Sequence, residues 1–166
     1  MAQGEQQQSK DTAVFLAAGF EEETVVTLLC RLRHAGLPVS LISPSTQPLT
    51  GTHGVTLCPD KLLLDLPKEK SFHLVIVPGN GRCVQSLLVC PRFHHLLKNS
   101  LAEGGYVAAL DAAVPALDAA GIPRYAADPA HYLRQDHTPL NEFITYLSRL
   151  AQAPSLPDPF TTPSGA

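Results

Sequence analysis

Carboxylates set beside glycine turns are the residues of this chain best equipped for chemistry. Asp111 follows the apolar run Tyr106-Val107-Ala108-Ala109-Leu110 and precedes Ala112-Ala113-Val114-Pro115-Ala116-Leu117. A strand-like run that ends where small residues open a helix makes a sharp corner. The side chain at such a corner points outward beside free backbone N–H groups. The geometry suits a serine or cysteine nucleophile. A carboxylate acts as nucleophile or general base only when a neighbouring group tunes it. Glu21, Glu22 and Glu23, which follow Gly19-Phe20, are the neighbours on offer. If Glu23 meets Asp111 in one small pocket, both cannot stay charged cheaply, and the pair should share a proton. The plain alternative is that the glutamates favour a helix N-terminus through its dipole. A third turn, Pro78-Gly79-Asn80-Gly81, could supply backbone donors to an oxyanion. It lacks the Lys-Ser/Thr of a phosphate-binding loop, and its asparagine tolerates positive φ better than most residues.

Other reactive side chains carry weaker signals. The seven histidines show no ligand spacing, so neither a metal site nor a cofactor is expected. His131 lies twenty residues beyond Asp111, yet nothing around it marks a general base. His94 and His95 are adjacent on a helix and cannot face one site. Cys30, Cys58, Cys83 and Cys90 have no C-x-x-C spacing and argue against a disulfide framework. Cys30 should pack within a helix and Cys58 should end a strand, while Cys83 or Cys90 could be exposed thiols near the Pro-Gly turn.

Composition bounds the setting. A chain of 166 residues with 45% hydrophobic and 16% charged residues fits one globular domain. Net charge is −3 with no basic cluster, which leaves no footprint for nucleic acid or anionic membrane. No apolar run approaches the ~20 residues of a membrane span. A cytoplasmic or nuclear compartment is the default expectation. Residues 1–11 and 153–166, the second with four prolines, read as disordered tails around a domain over 12–152.

Within that domain, strands and helices alternate. Strands are expected at Ala13–Ala17, Pro38–Ser43, Val55–Leu57, Leu74–Val77 and Tyr106–Leu110. Helices are expected at Glu22–Ala35, Gln85–Leu88, Pro91–Ala102, Ala112–Ala120 and Asn141–Ala151. Such alternation implies an α/β three-layer sandwich: a mostly parallel, flavodoxin-like sheet with helices on both faces. Ligands bind such sheets beyond the carboxyl ends of the strands, where Gly19, Gly79 and Asp111 fall.

Four stretches in register resemble the parkinsonism-associated protein deglycase family of the class I glutamine amidotransferase-like superfamily. They are Ala13 to Val25 with its Gly-Phe-Glu-Glu turn, Val55 to Asp60 with Cys-Pro-Asp, Phe72 to Asn80 ending in Pro-Gly-Asn, and the Asp111 segment. The resemblance implies a nucleophilic cysteine at the elbow beside a protonated glutamate, and here the elbow carries Asp111 instead. Against the family's Gly-x-Glu-Glu-x-Glu, the first turn reads one residue short. Glu23 is then the best match to the pocket glutamate, with Glu22 left open. The usual Gly-Gly pair has become Gly79-Asn80. Residues 123–138 are too short for the family's late strands and suit a connection or one edge strand, exposing an edge that a second chain or a covering loop would manage. A thiol matching Cys58 lies near a dimer contact in the family, which implies a homodimer.

The expectation is therefore a deglycase-like domain without catalysis, a pseudoenzyme that works through binding or assembly with a protein partner. Its remnant pocket would comprise Asp111, Glu23, Gly79 and Asn80. Two alternatives stand beside it: a small hydrolase, glyoxalase or lyase using Asp111 with Glu23, and a redox sensor using Cys58 or Cys83.

Overall fold

The computed structural model describes residues 11–152 and, of Asp111, the backbone alone. The tails expected at 1–11 and 153–166 lie outside the described residues apart from Asp11, whose carboxylate accepts a hydrogen bond from Lys70 Nζ at 2.7 Å.

Six parallel strands form the central sheet in the order β5-β2-β1-β6-β7-β8. They are β1 (Thr12–Phe15), β2 (Val39–Ser43), β5 (Lys61–Leu62), β6 (Leu74–Val77), β7 (Tyr106–Ala109) and β8 (Tyr132–Arg134). All residues of β1 and β6 are buried, as expected of central strands covered on both faces. A two-stranded antiparallel ribbon, β3 (Leu49–Thr50) with β4 (Thr56–Leu57), stands apart from the sheet. The strand expected at Val55–Leu57 is thus the outer half of a hairpin, because Gly51 and Gly54 turn the chain back there.

Among the described residues, five helices flank the sheet: α1 (Glu22–His34), α2 (Gly81–Leu88), α3 (Pro91–Ala102), α4 (Val114–Ala119) and α5 (Leu140–Gln152). α1 packs with α5, while α2 packs with α3 and α4. Right-handed crossovers that leave β1 and β6 in opposite directions along the sheet need one helix layer on each face. α1 ends in a Schellman motif. Gly36 adopts φ +82°, and the Leu37 N–H reaches back to the Leu32 carbonyl at 3.2 Å. Between the layers, Phe15 meets Phe72 and Phe93 edge to face inside a continuous apolar core.

Several expected boundaries moved. The helix expected at Gln85–Leu88 starts earlier, at Gly81, where Asn80 caps it. The helix anticipated from Ala112 opens as a 3₁₀ turn over Asp111–Ala113 before α4 starts. Residues 122–138 do contain one edge strand: two 3₁₀ turns, Ile122–Tyr125 and Pro129–His131, lead into the three-residue β8. Among the described residues, no helix is long and apolar enough to cross a membrane.

Candidate functional site

The strand order reverses between β1 and β6, and a cleft opens just beyond their carboxyl ends. It encloses about 210 Å³ and is lined by Glu21, Thr24, Pro78, Gly79, Asn80, Leu110, Ala112, Gln135 and Leu140. Three turns meet there, and side chains tie the first two of them together.

Asn80 holds two of those turns together. Its backbone is extended, with φ −80°, and its Oδ1 caps α2 by accepting the Cys83 N–H at 3.1 Å. Its Nδ2 donates to the Gly19 carbonyl at 2.6 Å. Positive φ was the expected reason for asparagine here. Among the described residues only glycines adopt it, so the capping bond is the reason instead. Gly79 must stay small, since a Cβ on it would come within 3.0 Å of Cys83 Sγ.

Cys83 is a structural thiol. It is fully buried, its Sγ accepts the Ala17 N–H at 3.2 Å and donates to the Ala17 carbonyl at 3.3 Å. Burial pushes the thiol's pKa up, and the Ala17 bond offsets this only in part. A thiolate, the reactive form, is therefore disfavoured. The exposed-thiol expectation for Cys83 fails because the helix cap turns this side chain inward beneath the cleft. Cys90 is half-buried, and Cys30, expected to be packed, is exposed along with Cys58.

The three glutamates separate. Glu22 is buried and faces the β3–β4 hairpin, where both carboxylate oxygens accept the His53 N–H at 2.8 and 2.9 Å. His53 Nδ1 lies 3.2 Å from the same carboxylate. Gly51 makes this approach feasible, because any Cβ there would overlap the Glu22 side chain. Glu23, the expected pocket residue, is exposed and absent from the cleft lining. Glu21 and Thr24 line the cleft instead, with Thr24 Oγ1 donating to Glu21 Oε2 at 3.1 Å. Helical spacing explains this, since positions three apart share a face and position 23 turns away. Counted from Gly19 without a gap, the last glutamate of Gly-x-Glu-Glu-x-Glu falls on Thr24.

At the elbow, Leu110 and Ala112 on either side of Asp111 both line the cleft, and the N–H groups of Ala113 and Val114 return to the Leu110 carbonyl at 2.8 and 3.1 Å. The anticipated Glu23–Asp111 contact involves a side chain outside the described residues. Gln135, missed in the sequence, enters from the end of β8. It is 8% exposed, its N–H donates to the Ala109 carbonyl at 2.9 Å, and its Nε2 donates to Thr138 O at 3.1 Å. Only the parallel pairing of β8 with β7 brings it here, and no local pattern announces that pairing.

The histidines belong elsewhere. His131 stacks on Tyr106 at the amino end of β7, ring centroids 4.3 Å apart, and its Nδ1 donates to the Gly105 carbonyl at 2.8 Å. His94 accepts from the Tyr125 hydroxyl at 2.8 Å and donates to the Leu88 carbonyl at 2.7 Å. Among the described residues, no cluster of ligands could hold a metal.

Comparison with known proteins places this geometry. Residues 10–132 match the DJ-1/PfpI family model. A glutathione-independent glyoxalase of Caenorhabditis elegans, DJR-1.2, is 35% identical over 61% of this chain and 54% of its own length. The zebrafish (Danio rerio) Parkinson disease protein 7 homolog is 32% identical over 68% of this chain and 60% of its own. The chain thus spans little more than half the length of these curated relatives. Drosophila melanogaster DJ-1beta superposes with a TM-score of 0.70 at 21% identity, covering 87% of this chain and 92% of that one.

Proposed function

The chain belongs to the DJ-1/PfpI family, and from that premise we propose that it is a member without catalysis, acting by binding through the cleft at the β1/β6 switch point. One observation carries the reading: the groups the family's chemistry would use are replaced in a framework that is otherwise retained. Aspartate stands at the elbow, Thr24 occupies the position of the pocket glutamate, and the nearby thiol of Cys83 is engaged at both ends by Ala17. A nucleophilic sulfur has no source in such a lining.

Turnover of methylglyoxal tests this, measured for the unaltered protein, for Asp111→Ala and for the double variant Asp111→Cys with Thr24→Glu. The expected result is no turnover in the first two. Turnover by the unaltered protein that disappears in Asp111→Ala would instead favour a hydrolase, glyoxalase or lyase of altered chemistry. Glu21 rather than Glu23 would then be the partner carboxylate, since Glu21 lines the cleft. Activity gained by the double variant alone would identify the two replacements as the reason for silence.

Assembly is part of the same proposal. Val26 on α1 and Val55 beside β4 are exposed apolar side chains that a second copy or a protein partner would cover. Sedimentation equilibrium should give a homodimer mass, and the Val26→Glu variant should shift it to the monomer. A reducing compartment, cytoplasmic or nuclear, suits its four free cysteines.

A further inference from the structure

Taking the cleft as a binding site, we infer that its ligand is a small organic cation, an ammonium or guanidinium head group. The argument follows from which lining groups remain able to bond. Asn80 donates to Gly19 and accepts from Cys83, so its side chain serves the turns around it at both ends. Gln135 donates to the Thr138 carbonyl. Thr24 points its hydroxyl hydrogen at Glu21, which leaves the Thr24 oxygen as an acceptor. The Glu21 carboxylate accepts that bond, although its two oxygens offer about four acceptor positions. Glu21 and Thr24 thus keep acceptor positions on one wall of the cleft, which a ligand that donates several N–H bonds complements.

Charge points the same way. Among the described lining residues Glu21 is the one acidic side chain and none is basic. Arg82 packs its stem over Gly19, where an added Cβ would meet its Cδ at 3.3 Å, and it does not line the cleft. Leu110, Ala112 and Leu140 supply apolar walls suited to the alkyl stem of an amine. A space of about 210 Å³ has room for such a head group with a short alkyl stem.

The cation has two sources with the same chemistry, a free small amine or the side chain of an arginine or lysine on a partner. NMR titration of the full chain with methylguanidinium, methylammonium, acetate, methylphosphonate and an end-capped Gly-Arg-Gly peptide separates the outcomes. The expected result is that the cations, and not the anions, shift the amide signals of Gly79, Asn80 and Gln135. Binding of the free cations alone assigns a small-molecule ligand; tighter binding of the capped peptide assigns a protein side chain. Glu21→Gln should weaken the cation about fivefold, the most that an exposed ion pair of ~1 kcal/mol supplies. Glu23→Gln, one helical face away, should leave it unchanged.

Anions shifting the same signals, through Arg82 or otherwise, would overturn the inference and leave the non-catalytic reading intact. Equal weakening by both glutamate variants would overturn it as well, by showing bulk attraction only. Silence from every probe likewise ends it, whereas the non-catalytic reading is decided separately by the methylglyoxal assay.

Discussion

The β1–α1 and β6–α2 turns differ from the elbow after β7 in what holds them. The first two are bound to each other by Asn80 and Cys83, and the hairpin is bound to the first of them by Glu22. Asn80 and Cys83 bond to backbone groups, and Glu22 to the His53 N–H with the Thr52 hydroxyl and the His53 ring beside it. At the elbow, by contrast, a 3₁₀ turn closes on Leu110, and the residues around it that face the cleft bond mainly to one another or to local backbone. The difference separates the parts of the site that build the fold from the parts that would run a reaction. Framework residues can persist because folding itself requires them, while the reacting positions are free to change without unfolding the protein.

Deleting the aromatic centre beneath the first two turns should have the largest effect. Phe15 is fully buried against Phe72 and Phe93, so Phe15→Ala should cost about 3–5 kcal/mol in urea unfolding. Thr24→Ala in the cleft should stay within about 0.5 kcal/mol. A comparable loss at both positions would dissolve the distinction between framework and site.

Next comes the glutamate pair. Glu22→Gln weakens the bonds that a buried carboxylate accepts from the His53 N–H and should cost about 1–3 kcal/mol. The adjacent Glu23→Gln is an exposed change and should be near neutral. Reversal of that order would mean that Glu23, not Glu22, is the structural residue of the turn.

Legibility from sequence follows the same division. The sheet and its flanking helices were readable because buried strands such as Leu74–Val77 and the periodic apolar residues of α1 are local signals. The elbow was readable as a position because small residues follow an apolar run. What could not be read was which of three consecutive glutamates turns inward, since that depends on the helix phase at its first turn. Asn80 looked like a tolerated glycine replacement because its two hydrogen bonds reach partners 3 and 61 residues away. Cys83 looked exposed because nothing near it in sequence shows that the end of β1 lies against it. Gln135 and β8 depend on pairing with β7 across the intervening α4, a non-local contact without a motif.

Thiol reactivity sharpens the comparison with a smaller, kinetic effect. Cys30 and Cys58 should react with a maleimide within minutes in the folded protein, and Cys83 only after unfolding. Because the folded thiol's pKa is raised, Cys83 adds stability below the ordinary thiol pKa, which is lost as pH rises through the folded value. Rapid labelling of Cys83 in native conditions would show that the clamp on Ala17 opens readily and that the first two turns are no better held than the elbow.

The smallest effect belongs to the chain beyond the elbow, where side-chain contacts accompany a short strand. The Tyr132 hydroxyl donates to Asp118 on α4 at 3.2 Å, and Arg134 pairs with the same carboxylate at 3.2 Å while lying over the Tyr132 ring. Burial first, and then the Asp118 charge, drives the phenol's pKa well above its usual value. Folding therefore favours the neutral phenol. Its contribution is fully present below the ordinary phenol pKa of about 10 and declines as pH rises from there through the folded value. Tyr132→Phe loses the bond to Asp118, about 0.5–1.5 kcal/mol at neutral pH, and with it this share of the alkaline decline. Unfolding free energies of the two proteins, compared from pH 8 upward, should converge as the solution becomes more alkaline. A constant gap across that range would mean that Tyr132 supports β8 through packing alone, and the segment after the elbow would then be held as apolar framework like the strands before it.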